Sequence, residues 1–201
     1  MYHIKGQILR HGKTSDNTLE VMSGCRDVYL TQDGIDLLFK NKHIMNILET
    51  SRYYVTDLYR TITTFNIYFP NKKPDAIIPE FREFCFGAYE GKDIAEVADI
   101  VYDIFLNNKS NNLNVETYQQ ALLRYQQGLE YIIQDLINNH QNTFSLVAHN
   151  GTCRMFKSML LGHDINNFRN FKTQNGKGII VEFDYDQNNH QIYNGTLSLI
   201  K

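Results

Sequence analysis

Residues 143–148, TFSLVA, read as a buried strand lodged between two helical segments. Upstream, Tyr118, Ala121, Leu122, Tyr125, Leu129, Ile132, Ile133 and Leu136 recur at spacings of three and four, which predicts a helix over residues 115–139. Downstream, another apolar helix runs to Leu161. A strand buried in this way belongs in a sheet covered by helices on both faces.

The remaining segments fit that plan. Residues 2–9 alternate imperfectly, with Ile4, Ile8 and Leu9 apolar, and predict a first strand. Thr31 caps a predicted helix extending to Glu49, residues 53–55 and 75–79 are short strands, and Thr56 or Asp57 caps a helix that Pro70 stops. Residues 179–185 and 191–200 alternate around the turn-forming stretch 186–189, which predicts a terminal hairpin. Strand and helix in alternation followed by a hairpin imply an α/β fold: a three-layer αβα sandwich with a mostly parallel sheet and one antiparallel edge. The 201 residues make one expected domain, residues 1–201, on the usual prior of ~150 residues per domain. The Asn-rich stretch 107–114 reads as a surface loop rather than a linker.

Composition narrows the partners. Twenty Lys and Arg against 22 Asp and Glu leave a formal charge of −2, so no global field draws the chain to nucleic acid or an anionic membrane. Any anion binding must be local. No apolar stretch reaches the ~18 residues of a membrane span, and the first residues lack the core of a signal peptide, so a cytoplasmic protein is expected. Cys25, Cys85 and Cys153 are odd in number, far apart and without a CxxC pair, which predicts reduced thiols rather than a disulfide or a zinc site. His3, His43, His140, His163 and His190 have no metal-ligand spacing, and neither a metal nor another cofactor is expected. No heptad repeat or long apolar stripe points to an oligomeric state.

Two predicted strands end in histidine. Residues 2–9 run into Arg10, His11 and Gly12, and residues 143–148 run into His149, Asn150 and Gly151. In open α/β sheets, ligands bind beyond the carboxyl ends of the strands. Arg60 and Glu83 come from two further segments. The arginine forks and the helix N-terminus after His149 suit a local phosphoryl cradle. Within it, a neutral ring nitrogen of His11 can attack phosphorus while a carboxylic acid, for which Glu83 is suited, protonates the leaving oxygen. Glu80 and Glu90 compete with Glu83 by proximity in sequence.

These residues carry a family resemblance. LRHGKT at residues 9–14 resembles the signature of the histidine phosphatase superfamily, also called phosphoglycerate mutase-like. Asn17, Ser23 and Gly24 follow Arg10 at spacings similar to those of the cofactor-dependent phosphoglycerate mutases. LTQDG at 30–34, TDLYRTITT at 56–64, FREFCFGAYEG at 81–91 and LVAHNGTCR at 146–154 resemble LTxxG, SDLxRAxQT, LxExxxGxxEG and VxHGGxxR. A bare RHG would be weak, but matches in this order over most of the chain are specific. The resemblance implies that His11 becomes the phosphohistidine and Glu83 the proton donor and then base. It gives Arg10, Arg60 and His149 the phosphate pocket, His149 also serving catalysis, with Asn17 and Asn150 contacting phosphate and Ser23 and Gly24 contacting substrate.

The chain departs from the pattern at Asn150, which stands where the family usually has glycine, and at Lys13, which replaces the Glu of RHGET. Arg154 reads as a structural ion-pair partner, Arg26 as either structural or ligand-binding, and Phe84, Phe86 and Tyr89 as pocket or core. The expected function is a phosphomonoesterase that hydrolyses a small phosphorylated metabolite through His11, with residues 84–114 as a substrate-covering insertion. A phosphoglycerate mutase-type phosphotransferase is the nearest alternative. It is disfavoured because residues 92–114 hold only Lys92 and Lys109 against Asp93, Glu96, Asp99 and Asp103. A non-catalytic phospholigand-binding module is the other alternative, motivated by Asn150.

Overall fold

A computed structural model describes residues 1–162 and 165–200, with backbone alone at 165 and 166. Its strands are β1 (Tyr2–Arg10), β2 (Arg52–Val55), β3 (Ala76–Ile77), β4 (Thr143–Ala148), β5 (Gly178–Asp186) and β6 (Gln191–Leu199). The helices are α1 (Ser15–Thr18), α2 (Gln32–Ile44), α3 (Tyr59–Tyr68), α4 (Ile94–Leu106), α5 (Tyr118–Asn138) and α6 (Asn150–Leu161). The strands form one sheet in the order β3, β2, β4, β1, β5, β6. β1 to β4 are mutually parallel, and the β5–β6 hairpin adds the antiparallel edge against β1.

Successive side chains on a strand point to opposite faces, and the core divides accordingly. Ile4 and Ile8 of β1, Tyr54 of β2 and Phe144, Leu146 and Ala148 of β4 pack with α4, α5 and α6. Leu9, Val55 and Val147, the residues of opposite parity, pack with Leu38 of α2 and Phe65 and Tyr68 of α3. The strands are therefore apolar on both sides, each fully buried large side chain contributing about 1.5–3 kcal/mol. This is the three-layer sandwich the sequence implies.

The differences from expectation have local causes. Thr31 caps α2 by accepting the Gly34 amide, but the helix ends at Ile44 rather than Glu49. Buried Gln7 captures both the amide and the carbonyl of Leu48 with its side chain, which holds the following segment in a non-helical path. Neither Thr56 nor Asp57 caps α3: the Thr56 hydroxyl is engaged with His149 and Thr61, and the Asp57 carboxylate is claimed by Arg82. Thr117 starts α5 through a capping box with Gln120. The insertion at residues 84–114 contains α4, capped by Asp93. His163 lies outside the described residues.

The cysteine expectation is overturned. Cys25 and Cys85 form a disulfide, with Cα atoms 4.9 Å apart across a separation of 60 residues. Spacing along the chain gave no sign of it because the two loops meet only in three dimensions. Glu90 brings them together, one carboxylate oxygen accepting the amides of both Cys25 and Phe86. Cys153 is free and buried, and burial pushes its thiol pKa up to about 12. Among the described residues, no helix is long and apolar enough to cross a membrane.

Candidate active site

The register of the sheet assembles the site. Arg10 pairs with Ala148, so the next residue on each parallel strand is a histidine. The His11 amide donates to the Ala148 carbonyl at 3.0 Å, and the rings of His11 and His149 lie edge to face with centroids 5.3 Å apart. β2 ends beside them, with Val55 opposite Val147, and its next residue, Thr56, places Oγ1 3.0 Å from His149 Nε2. α3 then returns Thr64 to the loop after β1, where its hydroxyl accepts the Gly12 amide at 3.0 Å.

His11 Nδ1 lies 2.7 Å from the Gly12 carbonyl. A carbonyl only accepts, so the proton sits on Nδ1 and the Nε2 lone pair is left for chemistry. Burial holds the His11 pKa well below its ordinary value, and the charges of Arg60 and Arg10 push the same way. Burial and Arg60 do the same to His149. Both rings are neutral near pH 7.

Arg60 is 1% exposed and is aimed by backbone: its guanidinium donates to the carbonyls of Gly24 and Arg26. Arg10 donates to the Thr173 carbonyl. Thr173 is in turn held by Asn150, whose Oδ1 accepts both its amide, at 2.9 Å, and its hydroxyl, at 3.1 Å. Burial works against the charge on each arginine, and the nearby Glu83 carboxylate is the largest opposing influence.

Glu83 follows a short 3₁₀ turn, Pro79–Phe81, and its neighbours are tied to the helices around them. Arg124 and Tyr125 of α5 donate to the Arg82 carbonyl, and Thr152 of α6 donates to that of Phe81. The Glu83 carboxylate accepts the Phe84 amide and, at 3.1 Å, the Gly151 amide in the first turn of α6. Its rivals serve elsewhere: Glu90 is occupied by the two amides of the disulfide region, and Glu80 does not border the cavity.

A cavity of about 580 Å³ opens over this end of the sheet. Arg10, His11, Arg60 and Glu83 line it, together with Asn17, Ser23, Gly24 and Asn150. Fully buried His149 borders His11 rather than the open wall. Asn17 Oδ1 accepts the Thr14 amide and the Asn175 side-chain amide. Gly24 adopts φ +52°, and a side chain there would collide with Glu90. Arg26 pairs with Asp16 at 3.8 Å. Arg154 departs from expectation. It lines the cavity, and instead of a carboxylate it meets the carbonyls of Phe171 and Arg169 and the Tyr102 hydroxyl. Phe84 and Phe86 belong to both cavity and core.

Buried polar atoms are normally satisfied by partners. Among the described residues, the buried side-chain atoms without one are Arg10 Nε, Arg60 Nε, His149 Nδ1, Ser23 Oγ and Asp16 Oδ2. The first four belong to predicted site residues and can all donate to an oxyanion. Among the described residues, the single cluster of metal-ligating type, Cys25, Cys85 and Glu90, is spent on the disulfide and its amides.

The sequence profile of the histidine phosphatase superfamily, branch 1, matches residues 7–196. The chain belongs to that superfamily. The chain is 28% identical over 95 residues to a Hydrogenobacter thermophilus protein named for phosphoserine phosphatase, a match covering 47% of each chain. It thus spans about half the length of that curated relative. Among solved structures it resembles phosphoserine phosphatase of Entamoeba histolytica in complex with 3-phosphoglyceric acid, at 23% identity and TM-score 0.73, covering 98% of this chain and 97% of that one. It also resembles phosphoglycerate mutase of Bacillus anthracis, at 16% identity and TM-score 0.77, covering 96% and 91%. At these identities the structural likenesses establish the fold.

Sequence reasoning brought out the strand-end histidines and the arginines of this site but missed Thr56, Tyr102, Arg169 and Lys172, the last three on the cavity wall. Thr56 stood in the TDLYR motif and offered a signal. The other three lie outside any motif.

Proposed function

We propose that this histidine phosphatase hydrolyses a small phosphomonoester through a phosphohistidine at His11. The observation that carries the reading is the set of unsatisfied donors on Arg10, Arg60 and Ser23, which line one cavity with His11, and on His149, whose ring abuts that of His11. A phosphoryl group supplies the oxygens that such donors lack, and fixed donors stabilise charge as it is transferred.

In the first step the Nε2 lone pair of His11 forms a bond to phosphorus as the ester P–O bond breaks. Glu83, as the acid, gives its proton to the leaving oxygen. In the second step the Glu83 carboxylate takes a proton from water, whose oxygen bonds to phosphorus as the P–N bond breaks and the electron pair returns to Nε2. Arg10 and Arg60 hold the phosphoryl oxygens throughout, as does His149 when Thr56 fixes its Nε2 and its proton sits on Nδ1. Residues 84–114 cover the substrate, with Ile94 and Ala98 of α4 forming part of the cavity wall.

A cytoplasmic setting accompanies this reading, and a reducing thiol pool would then face the Cys25–Cys85 bond. The binding-module alternative loses its motive, because Asn150 has a structural task in holding Thr173. Protein mixed with a labelled phosphomonoester and denatured at alkaline pH should carry an acid-labile, base-stable phosphoryl group. Replacing His11 with Ala should abolish it and lower turnover by several orders of magnitude. Equal turnover in His11→Ala would overturn the reading.

A further inference from the structure

The cavity wall is far more basic than the chain. Among the described residues, Arg10, Arg60, Arg154, Arg169 and Lys172 line it against the single carboxylate of Glu83, in a protein of formal charge −2. One phosphate dianion engaged by Arg10 and Arg60 leaves three further cations, of which Arg169 meets the exposed Asp99 and Arg154 and Lys172 meet no carboxylate among the described residues. Arg154 is 7% exposed, and among the described residues no carboxylate pairs with it. A buried cation without a counter-ion is costly, and an anionic ligand offsets that cost.

The remaining cations are organised. The Arg169 guanidinium stacks 4.5 Å over the Tyr102 ring and pairs with Asp99, a carboxylate 94% exposed and so weakly held. Arg154 braces this arrangement by donating to the Tyr102 hydroxyl and the Arg169 carbonyl. Lys172 is exposed on the same wall and immediately precedes Thr173, whose carbonyl receives Arg10. Apolar Met22, Phe86 and Ala98 also line the cavity. Arg169 and Lys172 lie outside every motif.

Building on the phosphatase reading of the His11 end, we infer that the substrate is a small phosphomonoester bearing a second anionic group, carboxylate or phosphate, which Arg169 and Lys172 grip across a short apolar span. The two residues set specificity and take no part in bond breaking.

The test compares matched esters: 3-phosphoglycerate against glycerol 3-phosphate for a carboxylate, and fructose 1,6-bisphosphate against fructose 6-phosphate for a second phosphate. At low salt, at least one doubly anionic member should exceed its partner in kcat/KM by about tenfold or more, chiefly through KM, and the better pair identifies the second anion. In Arg169→Gln/Lys172→Gln protein that ratio should fall towards one. Equal values within both pairs, or a ratio unchanged by the double substitution, would overturn the inference. Calorimetric titration of the same four compounds reads the second anion without turnover. If no ester is hydrolysed, the phosphatase reading fails, while the same preference in affinity and its loss in the double variant still decide this inference. Rapid isomerisation of 3-phosphoglycerate without free phosphate would replace hydrolysis with mutase chemistry and leave the anion grip standing.

Discussion

A β-carbon added to Gly151 would lie 1.9 Å from Glu83 Oε1, on the carboxylate that accepts the Gly151 amide. The glycine of the His149 segment is therefore space reserved for the Glu83 carboxylate. Gly151→Ala should push the Glu83 carboxyl away and lower kcat by about 10²-fold or more, the usual worth of a positioned general acid. Stability should change little, since alanine gains about 0.5–1 kcal/mol in a helix while the Phe84 ring edge, 2.8 Å from the new carbon, must also shift. Steady-state rates beside urea denaturation check both parts. A variant that is fully active would disconnect Glu83 from the chemistry.

Asn150 reaches Arg10 through Thr173. Its Oδ1 accepts the Thr173 amide and hydroxyl, and the Thr173 carbonyl receives the Arg10 guanidinium. Asn150→Gly restores the residue usual in the family yet removes that tether. With about 1 kcal/mol for a lost hydrogen bond, KM should rise roughly fivefold while kcat moves less. The measurement is a Michaelis curve for one phosphomonoester with both proteins. A lower KM in Asn150→Gly would show that Thr173 needs no such support.

What was legible in the sequence follows from which constraints are local. The Arg10–His11 and His149 strand ends could be read because a strand that runs into a polar tripeptide is a contiguous pattern, and parallel register then places such ends together. The extent of α2 could not, because it depends on Gln7, remote in sequence, capturing Leu48. The Cys25–Cys85 bond was misread for a related reason: parity and spacing describe the chain, whereas the bond depends on a Glu90 carboxylate joining two loops. Arg169 and Lys172 carry charge in an otherwise ordinary surface stretch, and only the folded wall gives it meaning.

The disulfide should matter twice over. It closes a separation of 60 residues, for which the chain-entropy model gives a stabilisation of about 4 kcal/mol. It also anchors the loop whose Gly24 and Arg26 carbonyls aim Arg60. Treatment with a dithiol, which is oxidised as Cys25 and Cys85 gain two electrons and two protons, should lower Tm by about 10 °C and raise KM for phosphomonoesters. Cys25→Ser/Cys85→Ser should behave like the reduced protein and ignore the dithiol. Identical melting of oxidised, reduced and doubly substituted protein would leave the bond without structural weight.

His11 and His149 also predict an acid limit to stability. Both are held neutral, first by burial and then by Arg60, so their folded pKa values lie well below the value of about 6.5 expected in the unfolded chain. Below that pH the unfolded chain takes up protons that the folded protein refuses, so acidification favours unfolding. Each ring then costs up to about 1.4 kcal/mol per pH unit, until the pH reaches its folded pKa. Denaturant midpoints in phosphate-free buffer should therefore be flat above about pH 7 and fall between pH 6 and 5. Replacing both rings with Asn should flatten the fall relative to wild type. Adding inorganic phosphate should raise wild-type stability if the donors around His11 bind it. An acid slope that survives the double substitution unchanged would assign the proton uptake to other groups and remove the case for a pair of buried neutral imidazoles.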